Sequence, residues 1–239
     1  MRLDRLVSQA TGLTRNEARK LIKSGLVSVY NSALTDPAAQ VEEGERLWVD
    51  GREADTQLVC HLMMNKPLGL LTAARDSRQQ TVMSLLPQRL YKLRCMPIGR
   101  LDKDSTGLLL FTTQGELAHR LLSPQRAVTK EYQASVTGRL DEGTKAAFAA
   151  GIALKDFTAL PAQLDILSAD ETGSQATVRL HEGKHRQVRR MFASLGHEVT
   201  SLSRQAFGPL RLDPSLSPGQ WRELLPEEIK LLKEAVGLD

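Results

Sequence analysis

Helical periodicity and strand alternation divide the chain into two stretches of different character. Leu3 to Ala10 reads as a short helix, and Thr14-Arg15-Asn16-Glu17 has the Thr-x-x-Glu spacing of a capping box. Behind that box Ala18, Leu21 and Ile22 recur at helical spacing until Gly25 stops the run. The pattern switches to alternation over Leu26 to Tyr30, crosses a polar loop with Asp36-Pro37, and returns to a strand signal in Arg46-Leu47-Trp48-Val49 after Glu43-Gly44. Residues 1–57 are therefore expected to form a small unit of two helices and a strand pair, with the polar, aperiodic run 51–58 as a linker.

Residues 58–239 alternate less strictly. Strand-like segments fall at Cys60 to Asn65, Leu108 to Thr112, Glu131 to Val136, Leu164 to Leu167, Ala176 to His181 and Val199 to Ser203. Helical segments fall at Thr81 to Leu86, Glu116 to Leu122, Asp141 to Ala150, His185 to Leu195 and Pro226 to Ala235. Several strands follow one another directly, which predicts an α+β domain with a mixed, largely antiparallel sheet flanked by helices rather than a doubly wound fold. No internal repeat or low-complexity tract is apparent.

Composition adds bounds. At 239 residues, two parts are expected from a typical domain of ~150. Hydrophobic residues at 41% and charged residues at 25% suit an ordinary folded chain. The longest apolar runs, such as Leu108 to Phe111, are a handful of residues, so neither an export signal nor a membrane span is expected. Cys60 and Cys95 have no partners at metal spacing and read as free thiols of a reducing cytoplasm.

The net charge of +4 is too small to argue for a polyanionic partner, but its distribution is not even. Residues 1–25, 75–139 and 181–211 carry six, eleven and six basic residues against two, five and two acidic ones. Residues 26–57, 140–180 and 212–239 carry the acidic excess. Three basic blocks are what a polyanion-binding face needs. In the first block Arg15, Arg19, Lys20 and Lys23 sit largely off the apolar face of the second helix.

The densest chemistry lies in Gly99-Arg100-Leu101-Asp102-Lys103-Asp104-Ser105-Thr106-Gly107, a charged, turn-rich loop running into the apolar strand Leu108 to Phe111. Its glycines are wrongly spaced for a phosphate-cradling loop, and Asp102 with Asp104 would need further ligands to hold a metal. A plain charged turn is the bland alternative. His181 and His185 lack a third ligand at zinc spacing, so no metal is expected. Aromatic residues at 4% are too few for a stacking platform on single strands.

Four ordered motifs carry a resemblance. Gly99-Arg100-Leu101-Asp102 followed by Thr106-Gly107-Leu108-Leu109-Leu110 resembles the signature of the pseudouridine synthases, in the branch that modifies ribosomal RNA. Asn65-Lys66-Pro67-Leu68-Gly69, Lys130-Glu131-Tyr132 and Glu182-Gly183-Lys184-His185-Arg186-Gln187-Val188-Arg189-Arg190-Met191-Phe192 resemble three further segments of that family. Arg2-Leu3-Asp4 with Gly25-Leu26-Val27-Ser28-Val29 resembles the ribosomal-protein-S4-like RNA-binding domain, which the branch also carries. The departure there is Val29-Tyr30-Asn31, where that domain often has Val-Asn-Gly.

The resemblance implies an RNA-binding domain at 1–57 and a catalytic domain at 58–239 that isomerises uridine without a cofactor or a metal. It implies Asp102 as the catalytic carboxylate, Arg189 as the cation that pairs with it, and Tyr132 as the ring stacked on the target base. Arg100 would fill the gap left by a base taken out of its stack. Lys184 and Arg186, near a helix start, would contact phosphates, as would Arg15, Arg19, Lys20 and Lys23. On the helix, Val188, Met191, Phe192 and Leu195 form the core stripe, which leaves Arg189 at its margin. The Lys130-Glu131-Tyr132 segment, Pro161-Ala162-Gln163-Leu164 and the short end after Trp221 look most like the branch acting on the small subunit. That implies uridine 516 of 16S rRNA, with 23S rRNA as the alternative; separately, a monomer is expected. Two rivals are a ribosome-associated RNA-binding or assembly protein without activity, and a metal-dependent nuclease using Asp102 and Asp104.

Overall fold

The computed structural model describes residues 1–30, 32–42 and 44–238, so Asn31 of the departing turn and Glu43 of the second strand signal lie outside the described residues. Two compact units emerge. The first comprises residues 1–61, 86–96 and 112–114.

In the first unit, α1 (Leu3–Thr11) and α2 (Arg15–Lys23) form where the periodicity places them. Thr14 closes the capping box: its Oγ1 accepts the Glu17 N–H at 3.3 Å, and its own N–H donates to Glu17 Oε2 at 2.7 Å. A sheet follows in the order β2-β1-β3-β4, made of β1 (Val27–Val29), β2 (Ser32–Ala33), β3 (Leu47–Val49) and β4 (Arg52–Ala54), antiparallel throughout. Leu3, Leu6, Val7, Ala18, Ile22, Val27 and Leu47 form its core. The linker expected at 51–58 is corrected by β4. Three residues with two exposed side chains show no periodicity, yet they pair with β3, and Arg46 donates to Glu53 at 2.8 Å beside them. The short helix α3 (Gln88–Lys92), unforeseen, also belongs to this unit.

The second unit holds residues 62–85, 97–111 and 115 onward. Its strands are drawn from β5 (His61–Lys66), β6 (Met96–Pro97), β7 (Thr106–Thr112), β8 (Lys130–Thr137), β9 (Ile152–Ala153), β10 (Thr158–Ala159), β11 (Gln163–Ala169), β12 (Gly173–Leu180), β13 (Val199–Phe207), β14 (Leu210–Arg211) and β15 (Trp221–Glu223). Among the described residues, the main sheet runs β11-β12-β8-β13-β7-β5-β15, with β14 added to β13 and β6 to β7, while β9 and β10 pair by themselves. The run β11-β12-β8-β13 is antiparallel, and β13 then meets β7 in parallel, Ser203 opposite Thr106 and Arg204 opposite Gly107. The sheet is mixed, as expected.

Helices α4 (Gly115–Leu122), α5 (Glu142–Ala150), α6 (Gln187–Ser194) and α7 (Pro226–Glu234) flank it. One core gathers Ala134, Val178, Phe148, Met191 and Phe192; another gathers Met63, Leu108, Leu110, Leu121 and Phe207. Two predicted helices are corrected. Thr81 to Leu86 holds only the 3-10 turn Val82–Leu85. The helix expected from His185 begins at Gln187, because Arg186 takes a left-handed backbone with φ 50°. The parallel junction explains Gly107: at φ 98° any Cβ would fall 2.3 Å from the Arg204 carbonyl oxygen, so only glycine lets β7 and β13 approach there.

Candidate active site

The loop 99–105 is held from below. Buried Thr72 brackets Leu101, its Oγ1 donating to the Leu101 carbonyl at 2.7 Å and accepting the Leu101 N–H at 3.2 Å. The Gly69 N–H donates to the Lys103 carbonyl at 2.9 Å, and Lys66 Nζ donates to the carbonyls of Ser105 and Pro67, each at 2.9 Å. A final bond from the Ser105 N–H to the Asp102 carbonyl, 3.1 Å, closes the turn. The Asn65-Lys66-Pro67-Leu68-Gly69 segment thus serves as the floor of the loop.

Lys66 is the residue that sequence reasoning passed over there. It is fully buried, and burial pulls its ammonium down to about 8 while the charges of Asp102 and Asp104 hold it up. Asp102 itself is half-buried, and among the described residues no hydrogen bond or ion pair reaches its carboxylate. The cations that act on it through space are Lys66 below and Arg186 opposite.

The arginines go to the neighbouring aspartate. Arg186 grips Asp104 with both terminal nitrogens, at 3.1 and 2.8 Å. Arg189 places its Nε 3.4 Å from the Asp104 carboxylate and donates to the Asp104 carbonyl and the Val199 carbonyl, both at 2.7 Å. Burial pushes the Asp104 carboxyl up, but the hydrogen bond from Arg186 and the charges of Arg189 and Arg186 outweigh it and hold it below its ordinary value. The expected Arg189–Asp102 pair is therefore corrected. Two carbonyls plant the guanidinium beside the second aspartate of the loop, and only 13% of the Arg189 side chain is exposed, less than a helix-margin position suggests. Arg190, further round the helix, pairs with Asp156 and lies over the Phe157 ring.

An open cleft of about 420 Å³ brings the candidates together: Arg100, Asp102, Tyr132, Lys184 and Arg186 line it, with Leu101, Leu180, Val188 and Leu202 as apolar walls. Tyr132 enters from β8, half-buried, while Arg100, Lys184 and Arg186 are exposed. Arg189 does not line this cleft but an adjoining concavity with Arg186, Arg190, His197 and Val199. Gln187, also unforeseen, is buried; its side chain donates to Glu182 and accepts the Lys184 N–H at 3.0 Å, which fixes the 182–187 turn at the mouth. Arg15, Arg19, Lys20 and Lys23 are all exposed on α2 of the first unit. Two of them are engaged, Arg15 at 3.3 Å and Arg19 at 2.9 Å from the fully buried carboxylate of Asp4, which Arg2 also meets at 3.1 Å.

Among the described residues no group of three or more His, Cys, Asp or Glu could hold a metal ion, and no helix is long and apolar enough to cross a membrane. His181 instead meets Thr129 and the Ala127 carbonyl through Nδ1. The arrangement offers a carboxylate without a partner, a tyrosine ring and a rim of cations around one nucleotide-sized cleft. That set can bind a polyanion, attack or deprotonate a sugar carbon, and stack a planar base.

Comparison with known proteins gives matches in both parts of the chain. The sequence pattern of the RNA pseudouridylate synthase family matches residues 60–194, and that of the S4 domain matches residues 1–47. The ribosomal small subunit pseudouridine synthase A of Vibrio vulnificus is 38% identical over 96% of this chain and 98% of its own length. The ribosomal large subunit pseudouridine synthase B of Bacillus subtilis is 35% identical over 97% and 95%. A crystal structure of a pseudouridylate synthase superposes with a TM-score of 0.68, at 31% identity over 97% of this chain and 99% of that one.

Proposed function

Because this chain belongs to the RNA pseudouridylate synthase family and carries an S4 domain, we propose that it isomerises one uridine of ribosomal RNA, uridine 516 of the 16S molecule, acting as a monomer. In this reading residues 1–57 grip the RNA and residues 58–239 perform the chemistry. The observation that carries it is the Asp102 carboxylate, with no hydrogen bond or ion pair among the described residues, in the cleft that Tyr132 and Arg100 also line.

The reaction breaks the bond from N1 of uracil to C1′, turns the base, and joins C5 to the same C1′. The hydrogen lost from C5 is balanced by the one gained at N1, so no oxidant, reductant or leaving group is required. The Asp102 carboxylate either adds to C1′ as the base departs or takes a sugar proton that starts the departure. Both routes need a carboxylate within reach of C1′ that no other donor occupies. Tyr132 stacks on the uracil. Arg189 keeps the loop in place by holding Asp104, and it acts on Asp102 only through that loop.

A uridine inside a stem presents neither C1′ nor its base face, so the target must leave the stack. Arg100, exposed and lining the cleft, fills the vacated position in this reading with its flat guanidinium. Lys184 contacts the backbone phosphates, and Arg186 does so when it exchanges Asp104 for phosphate. The 38% identity to a small-subunit enzyme supports 16S rRNA as substrate. The large-subunit relative at 35% supports a second reading, a uridine of 23S rRNA. A carbodiimide map of pseudouridines in both rRNAs, from cells with and without this protein, separates them. One 16S site is expected to vanish; loss of a 23S site establishes the second reading, and loss of none rejects synthase activity on rRNA.

A further inference from the structure

Beside the cleft lies a second cavity of about 390 Å³, which shares Gly99, Arg100, Leu122, Tyr132, Gly183 and Lys184 with it and adds Lys130, Arg204, Phe207, Leu160 and Glu182. Two cations are buried in its wall. Lys130, the first residue of β8, is 8% exposed, and Arg204 of β13 is 2% exposed. Both lie over one ring, Lys130 Nζ 5.3 Å and Arg204 Cζ 5.1 Å from the centroid of Phe207. Their protein partners are carbonyls: Lys130 donates to Val128 at 2.9 Å and Arg204 Nε to Leu108 at 2.8 Å. The Nη2 of Arg204 is buried with no acceptor.

No carboxylate forms an ion pair with either cation among the described residues. Glu182 is the acidic group of this wall, and its Oε1 is already taken by the Leu160 N–H, at 2.8 Å, and by Gln187. Burial, followed by the charge of Arg204, pulls Lys130 down to about 8, and Glu182 only partly opposes this. Like charges placed side by side in a low dielectric, with a donor unsatisfied, are costly unless an anion joins them. Among the described residues no carboxylate pairs with them as that anion; Glu182 acts only through space.

We propose that Lys130 and Arg204 form a phosphate subsite, which takes a phosphodiester of the RNA strand adjoining the nucleotide held in the cleft. The proposal rests on the reading that RNA is the substrate. Tyr132 lines both cavities, so a strand whose base stacks on one side of the ring has its backbone within reach of the other. Leu122 and Leu160, exposed leucines at this cavity, give the sugar next to that phosphate an apolar contact. The subsite would fix the register of the strand, and so which uridine reaches Asp102, without reading a base.

The test uses Lys130→Met and Arg204→Lys in the full chain, with an rRNA fragment spanning the mapped site and a series of the same fragment carrying one neutral methylphosphonate at a time. Lys130→Met is expected to weaken binding roughly tenfold or more and to lower the slope of log affinity against log salt by about 0.7 to 0.9, one phosphate contact. One methylphosphonate next to the target should weaken the wild type equally and add nothing in Lys130→Met. Removing an unpaired buried charge should leave the melting temperature level or raise it, whereas a purely structural lysine would lower it. An unchanged salt slope in both folded variants, or methylphosphonate effects that simply add, overturns the proposal. Inorganic phosphate that raises the wild-type melting temperature but not that of Lys130→Met, with the RNA slope unchanged, assigns the site to free phosphate and overturns it too. The pseudouridine map is read separately: a wild type that binds RNA with the expected slope but modifies no rRNA overturns the function and leaves the subsite standing.

Discussion

Gly-Arg-Leu-Asp occurs twice, at 99–102 and at 138–141, and the two copies begin alike. Gly99 and Gly138 have φ of 71° and 70°, and Leu101 and Leu140 are both buried. The aspartates then part company. Asp141 accepts the Thr144 N–H and the Thr144 hydroxyl, each at 2.8 Å, and caps α5, which holds its carboxyl below the ordinary value. Asp102 receives no such bond. The residues that follow decide this: Glu142-Gly143-Thr144 turns back as a helix and supplies donors, whereas Lys103-Asp104-Ser105 runs on toward β7 and presents a second carboxylate that draws the arginines away. Two more Arg-Leu-Asp triplets end in occupied carboxylates. Asp4 meets three arginines, and Asp213, bonded by Ser215 and Arg222, is held at about 2. A carboxylate available for chemistry is the one that its surroundings leave unfilled.

The largest break in this comparison should come from Asp102→Asn. Loss of the charge removes the nucleophile or base, and turnover should fall roughly 10³-fold or more. Since no donor depends on that carboxylate, RNA affinity and melting temperature should stay at wild-type values. Single-turnover assays with a calorimetric scan of the same preparation check both halves. Turnover near the wild type would reject the assignment, and a large fall in melting temperature would show that Asp102 is occupied after all.

A smaller effect, on stability, is expected from Asp4→Asn in the first unit. Asp4 is fully buried while its arginines are 44 to 51% exposed, so the lost pairing is partly screened and should cost about 2 kcal/mol rather than the full value of a buried pair. The hydrogen bond from Arg2 leads the effects that hold the Asp4 carboxyl well below the ordinary carboxylate range. Its stabilisation is therefore complete above the unfolded value of about 3.9 and disappears as pH falls toward the depressed folded one. Urea titrations between pH 7 and pH 3 should show the wild type losing its advantage over Asp4→Asn across the acid end. A constant difference over that range would mean that the arginines are held by other contacts.

These contrasts also mark what could be read from the sequence. The loop 99–107, the turn and helix 182–192 and the residues at 130–132 meet at one cleft, because each motif is local and keeps its own spacing. The capping box at Thr14 and the core stripe Val188, Met191, Phe192 are local for the same reason. Long-range contacts were not legible. Arg204 and Gly107 become neighbours only through a parallel pairing nearly a hundred positions apart, and no periodicity announces it. Lys66, Lys130 and Arg204 look like solvated charges in the sequence, yet strands bury them. The short strand β4 and the helix α3 escape notice because three to five residues are too few to show a period.

The smallest effect is the sharpest control on the comparison. Asp141→Ala removes the cap of α5, whose loss typically costs ~1 kcal/mol. Phe148 of that helix stacks against Phe192 of α6 at 4.8 Å, so the helix is held by its core contact as well as by its cap and should stay docked. Pseudouridine formation should then be unchanged at a temperature where the protein is fully folded, even though the altered residue ends the same tetrapeptide as Asp102. If Asp141→Ala instead lowered turnover in proportion to its loss of stability, the α5–α6 contact would be transmitting strain to the 182–187 turn. The two copies would then differ in distance from the chemistry and not in kind.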